Sequence, residues 1–319
     1  MSNLRYVLDR YRKHPSVIQV TAHLGTSSAQ PSNIRLSGLM GAQESFVLAA
    51  TSLELPDPTT HLLIATGKEE AAYRYNDLQG LLGDQQVCFF PDSFKSPAVF
   101  DHLNVTQMLQ RSEVVHKMSI SDAPPIVVTY PEALFEKVVR PEILLKNRME
   151  VTKGEKLDVD WMIEILIEYS FDRTDFVFEP GQFSVRGGII DLFSYGNDLP
   201  YRVELFDEEV ESIRIFDPLT QLSQREITSL SIVPNMNTRF RQEEKVSLLQ
   251  IIPPKSVLWI KDLDFLIERL QQCFEKAEHF STKLTALDTA ELREIFRDRA
   301  FLYPGEVRDE IEAYATVYL

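Results

Sequence analysis

Short apolar runs that alternate with helical segments are the strongest constraint on how this chain of 319 residues folds. Three of the runs are "HLLIATG" at 61–67, "QVCFFPD" at 86–92 and "SVLWIKD" at 256–262. A fourth opens the stretch "APPIVVTYPEALFEKVV" at 123–139, where a strand is predicted to lead into a helix. Strands that are apolar on both faces occur mainly in parallel sheets covered by helices. The sequence therefore predicts an α/β domain built on a parallel sheet.

Helical and strand patterns elsewhere divide the chain into parts. A further strand of the α/β domain is predicted at 33–39, with helices at 42–54, 68–83 and 265–280. The middle of the chain differs, because a helix with an Asp N-cap is followed by alternating strands linked by short turns, which indicates antiparallel hairpins. Those elements are predicted at 158–170 for the helix and at 182–195, 200–206 and 210–217 for the strands.

These patterns predict an α/β domain that is split by an inserted α+β module with antiparallel strands. The α/β domain is placed at 1–142, the module at 143–234, and the return to the α/β domain at 235–319. The last part is expected to be mostly helical. It stops on the apolar "ATVYL", which we interpret as the end of a piece of a longer protein.

A glycine-containing segment, "GLMGAQESF" at 38–46, lies where a phosphate-binding loop would lie, between a predicted strand and a predicted helix. One variant of that loop reads G-x-x-G-x-G-K-[ST]. The aligned positions are Gly38, Gly41 and Ser45, which match, and Gln43 and Glu44, which replace the third glycine and the lysine. The segment is therefore either a degenerate phosphate loop or an ordinary strand-to-helix turn.

Two residues carry the wrong charge for nucleotide chemistry. At a separation of about 4 Å and an effective dielectric constant of about 20, Glu44 would repel each phosphate charge by about 4 kcal/mol. A nucleotidase also needs an acidic pair after a later strand to hold magnesium. In "VLWIKDLD" at 257–264, Lys261 and Asp262 occupy those positions. We therefore predict that the α/β domain is a degenerate P-loop NTPase-like (helicase-like) domain. Its site is predicted to be inactive, with no catalytic residue and no cofactor in this chain.

Composition limits the other classes of function. The formal net charge is −15, which argues against a chain that grips nucleic acid by itself. Cys88 and Cys273 are far apart in apolar segments, as expected for reduced thiols in the cytoplasm. The histidines show no metal-ligand spacing, so no metal site is predicted. No apolar run reaches the length of a membrane span, and the N-terminus lacks the apolar core of a secretory signal.

The middle module carries a specific resemblance. Residues 178–223 read "FEPGQFSVRGGIIDLFSYGNDLPYRVELFDEEVESIRIFDPLTQLS". This stretch resembles the second domain shared by the excision-repair helicase UvrB and the bacterial transcription-repair coupling factors (Mfd). "FFPDSFKSP" at 89–97 is similar to the stretch after the third strand in both families, and the loop at 38–47 aligns with the intact phosphate loop of UvrB. The resemblance covers about residues 20–280.

Further features favour the coupling-factor side of this resemblance. UvrB follows its third strand with a tyrosine-rich hairpin that probes DNA. Here "FKSPAVFDHLNVTQMLQRSEVVHKM" at 94–118 contains no tyrosine and is predicted to be a loop plus a helix. The chain is therefore similar to the N-terminal UvrB-homology region of the coupling factors. The resemblance implies that an ATP- and Mg-dependent DNA translocase motor, with RNA polymerase and double-stranded DNA as partners, belongs to other parts of such proteins.

The resemblance implies that the module recruits the damage-recognition ATPase UvrA. Arg173, Arg186 and Arg202 match the contact surface of the family, and Phe193 is either a further contact or a core residue. The alternative for the arginines is that they are solvated surface charges, and Arg214 and Arg225 fit that alternative better. Gly187 and Gly188 are predicted to serve a backbone turn.

The predicted pairing of two strands in the module places charged side chains on one face of the sheet. If residues 207–209 form a three-residue turn, Arg202 pairs with Arg214 on one face, and Tyr201, Val203 and Leu205 point to the core. Two like charges in that arrangement are unfavourable by up to about 1 kcal/mol unless carboxylates such as Glu204 balance them. The rival functions are an active nucleotidase or helicase and a weak DNA-binding module of a helicase-like repair protein.

Overall fold

The computed structural model describes residues 2–25, 31–56, 58–83, 86–94, 105–120, 125–146, 149–195, 197, 199–232, 245–283 and 301–319. Two six-stranded sheets dominate these parts of the chain, and each has its own hydrophobic core. The prediction of a mixed α/β fold with one parallel and one mainly antiparallel sheet is confirmed, whereas the likeness of the first domain to P-loop NTPases stays a prediction.

The first sheet is parallel throughout, with strand order β1-β16-β15-β2-β4-β3. Strands β2, β4 and β15 are buried along their whole length, as continuous apolar runs predict. The six strands are β1 (Asn33–Arg35), β2 (His61–Ile64), β3 (Val87–Phe89), β4 (Ile126–Thr129), β15 (Val257–Ile260) and β16 (Ala315–Tyr318).

Helices pack against this sheet and belong to the same core. The predicted helix after β2 ends at Gly83, whose φ of 95° and N–H bond to Gln79 O close the last turn. The helices of this part are α1 (Ser2–Arg12), α2 (Pro15–Gly25), α3 (Gln43–Glu54), α4 (Lys68–Leu82), α5 (Val105–Ile120), α6 (Pro131–Leu134), α7 (Pro141–Lys146), α9 (Leu263–Ser281) and α10 (Pro304–Ile311). The helix expected within 94–118 is confirmed as α5, whereas residues 95–104 lie outside the described residues.

Two segments of this domain differ from what the sequence predicted. The C-terminal part holds a strand that was not predicted, because "ATVY" forms β16, which lies between β1 and β15 inside the parallel sheet. The helix expected within 123–139 is a single turn, α6, followed by a short strand. Both segments are short, and their partners lie far away in the sequence, so local patterns did not reveal them.

The second sheet has the order β12-β11-β10-β9-β8-β7 and is antiparallel except for the pair β7–β8. Helix α8 (Val159–Glu168) begins, as predicted, after the N-cap Asp158, whose carboxylate accepts a bond from Trp161 N at 3.0 Å. The helix buries Met162 and Leu166 against one face of this sheet. The strands are β7 (Asp172–Arg173), β8 (Gln182–Arg186), β9 (Ile189–Leu192), β10 (Tyr201–Phe206), β11 (Glu209–Phe216) and β12 (Ser223–Ile227).

Two short strand pairs mark where the chain passes between the two cores. Strand β5 (Val138–Val139), part of the first core, pairs with β14 (Lys245–Val246). Strand β6 (Met149–Thr152), part of the second core, pairs with β13 (Ser229–Ile232). The exact domain boundaries stay predictions, and residue 234 lies outside the described residues.

Neither cysteine of the chain forms a disulfide, and both are buried. Burial raises the pKa of the Cys273 thiol to about 12. In the described residues, no helix combines the length and the apolar character needed to cross a membrane.

Candidate functional site

The segment at 38–46 forms a tight turn into α3. Gly38 and Gly41 have φ values of 80° and 56°, which an L side chain rarely adopts. Gln43 is the first residue of α3, and its Oε1 accepts a hydrogen bond from Met40 N at 2.8 Å. The side-chain amide of Gln43 therefore stabilises the turn that precedes α3.

Glu44 is buried, with 7 % of its surface exposed, and is bound by the chain itself. Its carboxylate accepts a hydrogen bond from Arg74 Nη2, while Arg74 Nη1 donates to Gly41 O at 2.6 Å. Lys261 Nζ lies 3.7 Å from Glu44 Oε1 and 3.1 Å from Glu70 Oε1. The two residues whose charges depart from the nucleotidase pattern, Glu44 and Lys261, thus face each other. We call Glu44, Glu70, Arg74 and Lys261 the loop cluster.

Glu70 connects the members of the loop cluster. Its Oε1 lies 3.4 Å from Arg74 Nη2, and its Oε2 accepts bonds from the N–H and hydroxyl of Thr66. Burial raises the pKa of Glu70, but the hydrogen bonds from Thr66 and Lys261 outweigh burial and hold the pKa at about 2. The carboxylate is therefore ionised at neutral pH, and the loop cluster contains two anions and two cations.

Ser45 and Asp262, the candidate magnesium ligands, also have partners within the chain. Ser45 Oγ donates to Asp77 Oδ2 at 3.1 Å. Asp262 is the N-cap of α9, and its Oδ1 accepts from Phe265 N at 3.0 Å. Each side chain thus has a structural role in the loop region or at the start of a helix.

A row of polar residues crosses the second sheet on the face opposite α8. Cross-strand pairing places Ser184, Asp191, Arg202, Arg214 and Glu226 side by side on five neighbouring strands. Asp191 is completely buried, with 0 % of its surface exposed, and lies at the centre of the row. A buried carboxylate needs cationic partners.

Two of the predicted arginines supply these partners. Arg202 binds Asp191 with two parallel bonds, Nε to Oδ1 at 2.7 Å and Nη2 to Oδ2 at 2.9 Å. Arg186 Nη2 donates to the same Oδ2 at 2.5 Å, and its Nη1 donates to Asp175 O at 2.9 Å. We call Asp191, Arg186 and Arg202 the arginine cluster. Two cations share one anion, so the cluster carries an excess positive charge.

Arg173, Arg186 and Arg202 differ in solvent exposure. The Arg186 side chain is 40 % exposed, and the Arg202 side chain is 17 % exposed. The guanidinium of Arg186 lies 4.9 Å from the centre of the Phe176 ring, and that of Arg202 lies 4.7 Å from the centre of the Phe216 ring. Arg173 is exposed on the edge strand β7 and lines an open pocket together with Arg186. The structure therefore brings Arg186 and Arg202 together through Asp191, whereas Arg173 lies on the edge strand opposite Phe183, a residue of the core that α8 covers.

The predicted pairing of Arg202 with Arg214 is confirmed, but the turn is different. Phe206 pairs with Glu209, which leaves a two-residue turn, and a β-bulge after Glu204 restores the expected register. Val203 is buried as predicted. Glu204 lies 3.4 Å from Arg214 Nη2 and so balances this arginine, as expected.

Phe193 is buried, with 5 % of its surface exposed, and packs with Val177 and Phe216. This burial favours the core alternative over a contact with a partner.

Sequence reasoning missed Asp191. The two-residue Gly187–Gly188 turn was the available signal, since it pairs Arg186 with Ile189 and so places Asp191 opposite Ser184. Gly188 also lies where a Cβ would meet Leu205 O at 2.9 Å.

The module matches a known family. Residues 149–237 match the description "UvrB interaction domain", and this range contains α8, the second sheet and the arginine cluster. The predicted resemblance to UvrB and to the coupling factors is confirmed at the level of sequence similarity. The match covers less than half of the chain, so it describes the module.

Longer relatives match a larger part of the chain. A transcription-repair-coupling factor of Bacillus subtilis is 32 % identical over 218 residues, which is 68 % of this chain and 18 % of the relative. A UvrABC system protein B of Yersinia pestis is 30 % identical over 217 residues, 62 % of this chain and 31 % of the relative. A coupling factor of Haemophilus influenzae is 30 % identical over 173 residues, 54 % of this chain and 15 % of the relative. The chain thus spans less than a third of each of these relatives.

Proposed function

We propose that this chain is a non-catalytic interaction region for DNA repair, which recruits the excision-repair ATPase UvrA through Arg173, Arg186 and Arg202. The observation that carries the proposal is the coincidence of two features in one module. Residues 149–237 match the UvrB interaction domain, and the same residues hold an arginine cluster with more cations than anions.

The arginine cluster suits the recognition of a carboxylate on a partner protein. An arginine guanidinium is planar and makes paired hydrogen bonds with carboxylates, and arginine is enriched among residues that dominate protein interfaces. Asp191 holds Arg202 and Arg186 in fixed positions before a partner arrives, so little conformational entropy is lost on binding. Arg186 Nη1 donates to the backbone carbonyl of Asp175. The guanidinium of Arg186 is more exposed than that of Arg202, and its five N–H donors leave capacity for a further acceptor.

The loop cluster supports the non-catalytic part of the proposal. A phosphate loop requires a lysine that reaches the β- and γ-phosphates and a hydroxyl that holds magnesium. In this chain the corresponding Glu44 is a buried anion bound to Arg74, and Ser45 donates to Asp77. These residues do not fit a nucleoside triphosphate, and the cations near Glu44 are already paired with carboxylates.

Activities of the longer relatives are proposed to lie outside this chain. We propose that an ATP- and Mg-dependent motor and the contacts with RNA polymerase and double-stranded DNA belong to other parts of a cytoplasmic protein. The B. subtilis relative is a transcription-repair-coupling factor, and we propose that this chain serves the same coupling through its contact with UvrA.

Calorimetric titration of the chain with UvrA tests the proposal, and Arg186→Ala is the decisive variant. Arg202 still pairs with Asp191 in this variant, so the module keeps its buried ion pair. We expect the Kd to rise about 5- to 150-fold, which corresponds to about 1–3 kcal/mol.

Arg225→Ala is the matched control, because Arg225 is an exposed arginine on β12 of the same sheet. Its affinity for UvrA should equal that of the unchanged chain. No binding of UvrA by the unchanged chain would overturn the recruiting function. Equal binding by the Arg186→Ala variant would overturn the assignment of the arginine.

A further inference from the structure

Four large apolar side chains are exposed in two loops of the module. Their exposed fractions are 52 % for Phe176, 49 % for Phe178, 85 % for Leu219 and 69 % for Leu222. Single exposed apolar residues are common, but neighbouring ones mark interaction surfaces. We call these four residues the apolar rim.

Direct contacts hold the two loops together. Gln221 Nε2 donates to Val177 O at 3.1 Å, which links the loop at 217–222 to the loop at 174–179. Val177 also packs on Phe193 and Phe216, beneath both loops. Arg202 Nη1 donates to Gln221 O at 3.2 Å, so the arginine cluster and the loop that carries Leu219 and Leu222 are joined.

Hydrogen bonds within each loop fix its shape. Asp217 Oδ1 accepts from Leu219 N and Thr220 N, both at 2.9 Å, and these bonds lower the pKa of Asp217. Gln182 Oε1 accepts from Phe178 N at 2.9 Å and from Glu179 N at 3.1 Å. Loops ordered in this way present their apolar side chains without a large entropic loss on binding.

The apolar rim is continuous with the positive charge of the arginine cluster. The guanidinium of Arg186 lies over the Phe176 ring, so a cation and an apolar surface form one contact area. The excess positive charge of the cluster reaches solvent at Arg186, whose side chain is 40 % exposed. A complementary partner therefore carries a carboxylate with apolar side chains beside it.

We propose that the apolar rim and Arg186 together dock one segment of UvrA that presents a carboxylate flanked by apolar side chains. This inference rests on the proposed function and specifies the chemistry of its partner surface. The carboxylate binds Arg186, and the apolar side chains cover Phe176, Phe178, Leu219 and Leu222. Affinity then comes from apolar burial as well as from charge.

The double variant Leu219→Ser/Leu222→Ser tests this inference by calorimetric titration with UvrA. Both side chains are largely exposed, and Asp217 still organises the loop through backbone N–H groups, so the fold should be retained. We expect the Kd to rise at least about tenfold, as for residues at the centre of an interface. The heat-capacity change of binding should become less negative, since less apolar surface is buried.

Ile167→Ser is the matched control, because Ile167 is 60 % exposed on α8, on the other side of the sheet. It should bind UvrA as tightly as the unchanged chain. If UvrA binds the unchanged chain and the double variant equally well, the apolar rim has no part in the interface and this inference alone fails. If UvrA does not bind the unchanged chain, the recruiting function itself fails.

Sedimentation of the chain without UvrA tests whether the apolar rim instead binds a second copy of the chain. The inference expects a monomer, in both the unchanged chain and the double variant. A dimer of the unchanged chain that the Leu219→Ser/Leu222→Ser change dissociates would show that the apolar rim binds a second copy. That result would overturn the assignment to UvrA.

Discussion

The loop cluster and the arginine cluster are both built on a buried carboxylate, yet their charges balance differently. Glu44 and Glu70 face Arg74 and Lys261, so two anions meet two cations. In the second sheet, the single carboxylate of Asp191 is bonded by both Arg186 and Arg202. The first cluster satisfies its own charges, whereas the second retains positive charge that a partner can use.

The pairing of charged side chains therefore distinguishes these two regions more clearly than the position of a sequence motif does. The loop at 38–46 was predicted to be a degenerate nucleotide site, and its charged residue Glu44 is neutralised by Arg74 and Lys261. The arginine cluster has no motif of a catalytic site, but it holds an exposed guanidinium in a fixed position. Four experiments test this difference between the two clusters.

Asp191→Asn is expected to have the largest effect. The change leaves Arg186 and Arg202 without the buried anion that both contact. Removing one partner of a buried ion pair destabilises a protein by about 3–5 kcal/mol. Urea unfolding measures this loss, and Glu226→Gln is the control, because Glu226 pairs with Lys153 on the exposed surface. A loss similar to that of the control would mean that Asp191 does not hold the cluster.

Glu44→Lys is expected to destabilise the first domain by about 3 kcal/mol, because it leaves Arg74 and Lys261 facing a third cation. Adding Lys261→Glu should recover part of this loss by reversing the pair. The interaction energy of the double-mutant cycle should be at least about 1 kcal/mol. Urea unfolding of the four proteins gives this value. Additive losses would show that Glu44 and Lys261 do not interact.

The acid sensitivity of the loop cluster should come mainly from Glu70. Its pKa in the folded chain is about 2, below the ordinary value of 4.5. The stabilisation is therefore present above about pH 4.5 and is lost as the pH falls toward 2. Allowing for its partial exposure, we expect about 2 kcal/mol over this range. The Glu70→Gln variant should show a smaller loss on acidification, and parallel pH profiles of unfolding would contradict this.

Magnesium and ATP are expected to have the smallest effect, with no change in the thermal midpoint of unfolding. A ligand at about 100 times its Kd would stabilise the chain by about 2.7 kcal/mol. Differential scanning fluorimetry at millimolar ATP measures the shift. A magnesium-dependent rise in Tm that Ser45→Ala removes would show that the loop still binds nucleotide, and the two clusters would then no longer differ in the way described.

Several elements could be predicted because their signals are local. The parallel strands are continuous apolar runs, and the start of α8 is marked by an Asp N-cap. The pairing of Arg202 with Arg214 was predicted through the wrong turn, and the bulge after Glu204 compensated for the missing turn residue. A correct register can thus arise from an incorrect local geometry.

Periodicity and charge are properties of single segments, so the parallel sheet, the hairpins of the module and the reversed charges at Glu44 and Lys261 could be read from the sequence. The folded structure was needed to show that β16 lies inside the first sheet, that Phe193 is buried, and that Asp191 binds two arginines. It also decided that Lys261 reaches Glu70 across 191 residues of sequence. The contacts of β16 and of Lys261 join segments that are far apart in the sequence, so no local pattern records them. Asp191 and its two arginines are close in the sequence, but they meet only through the pairing of neighbouring strands.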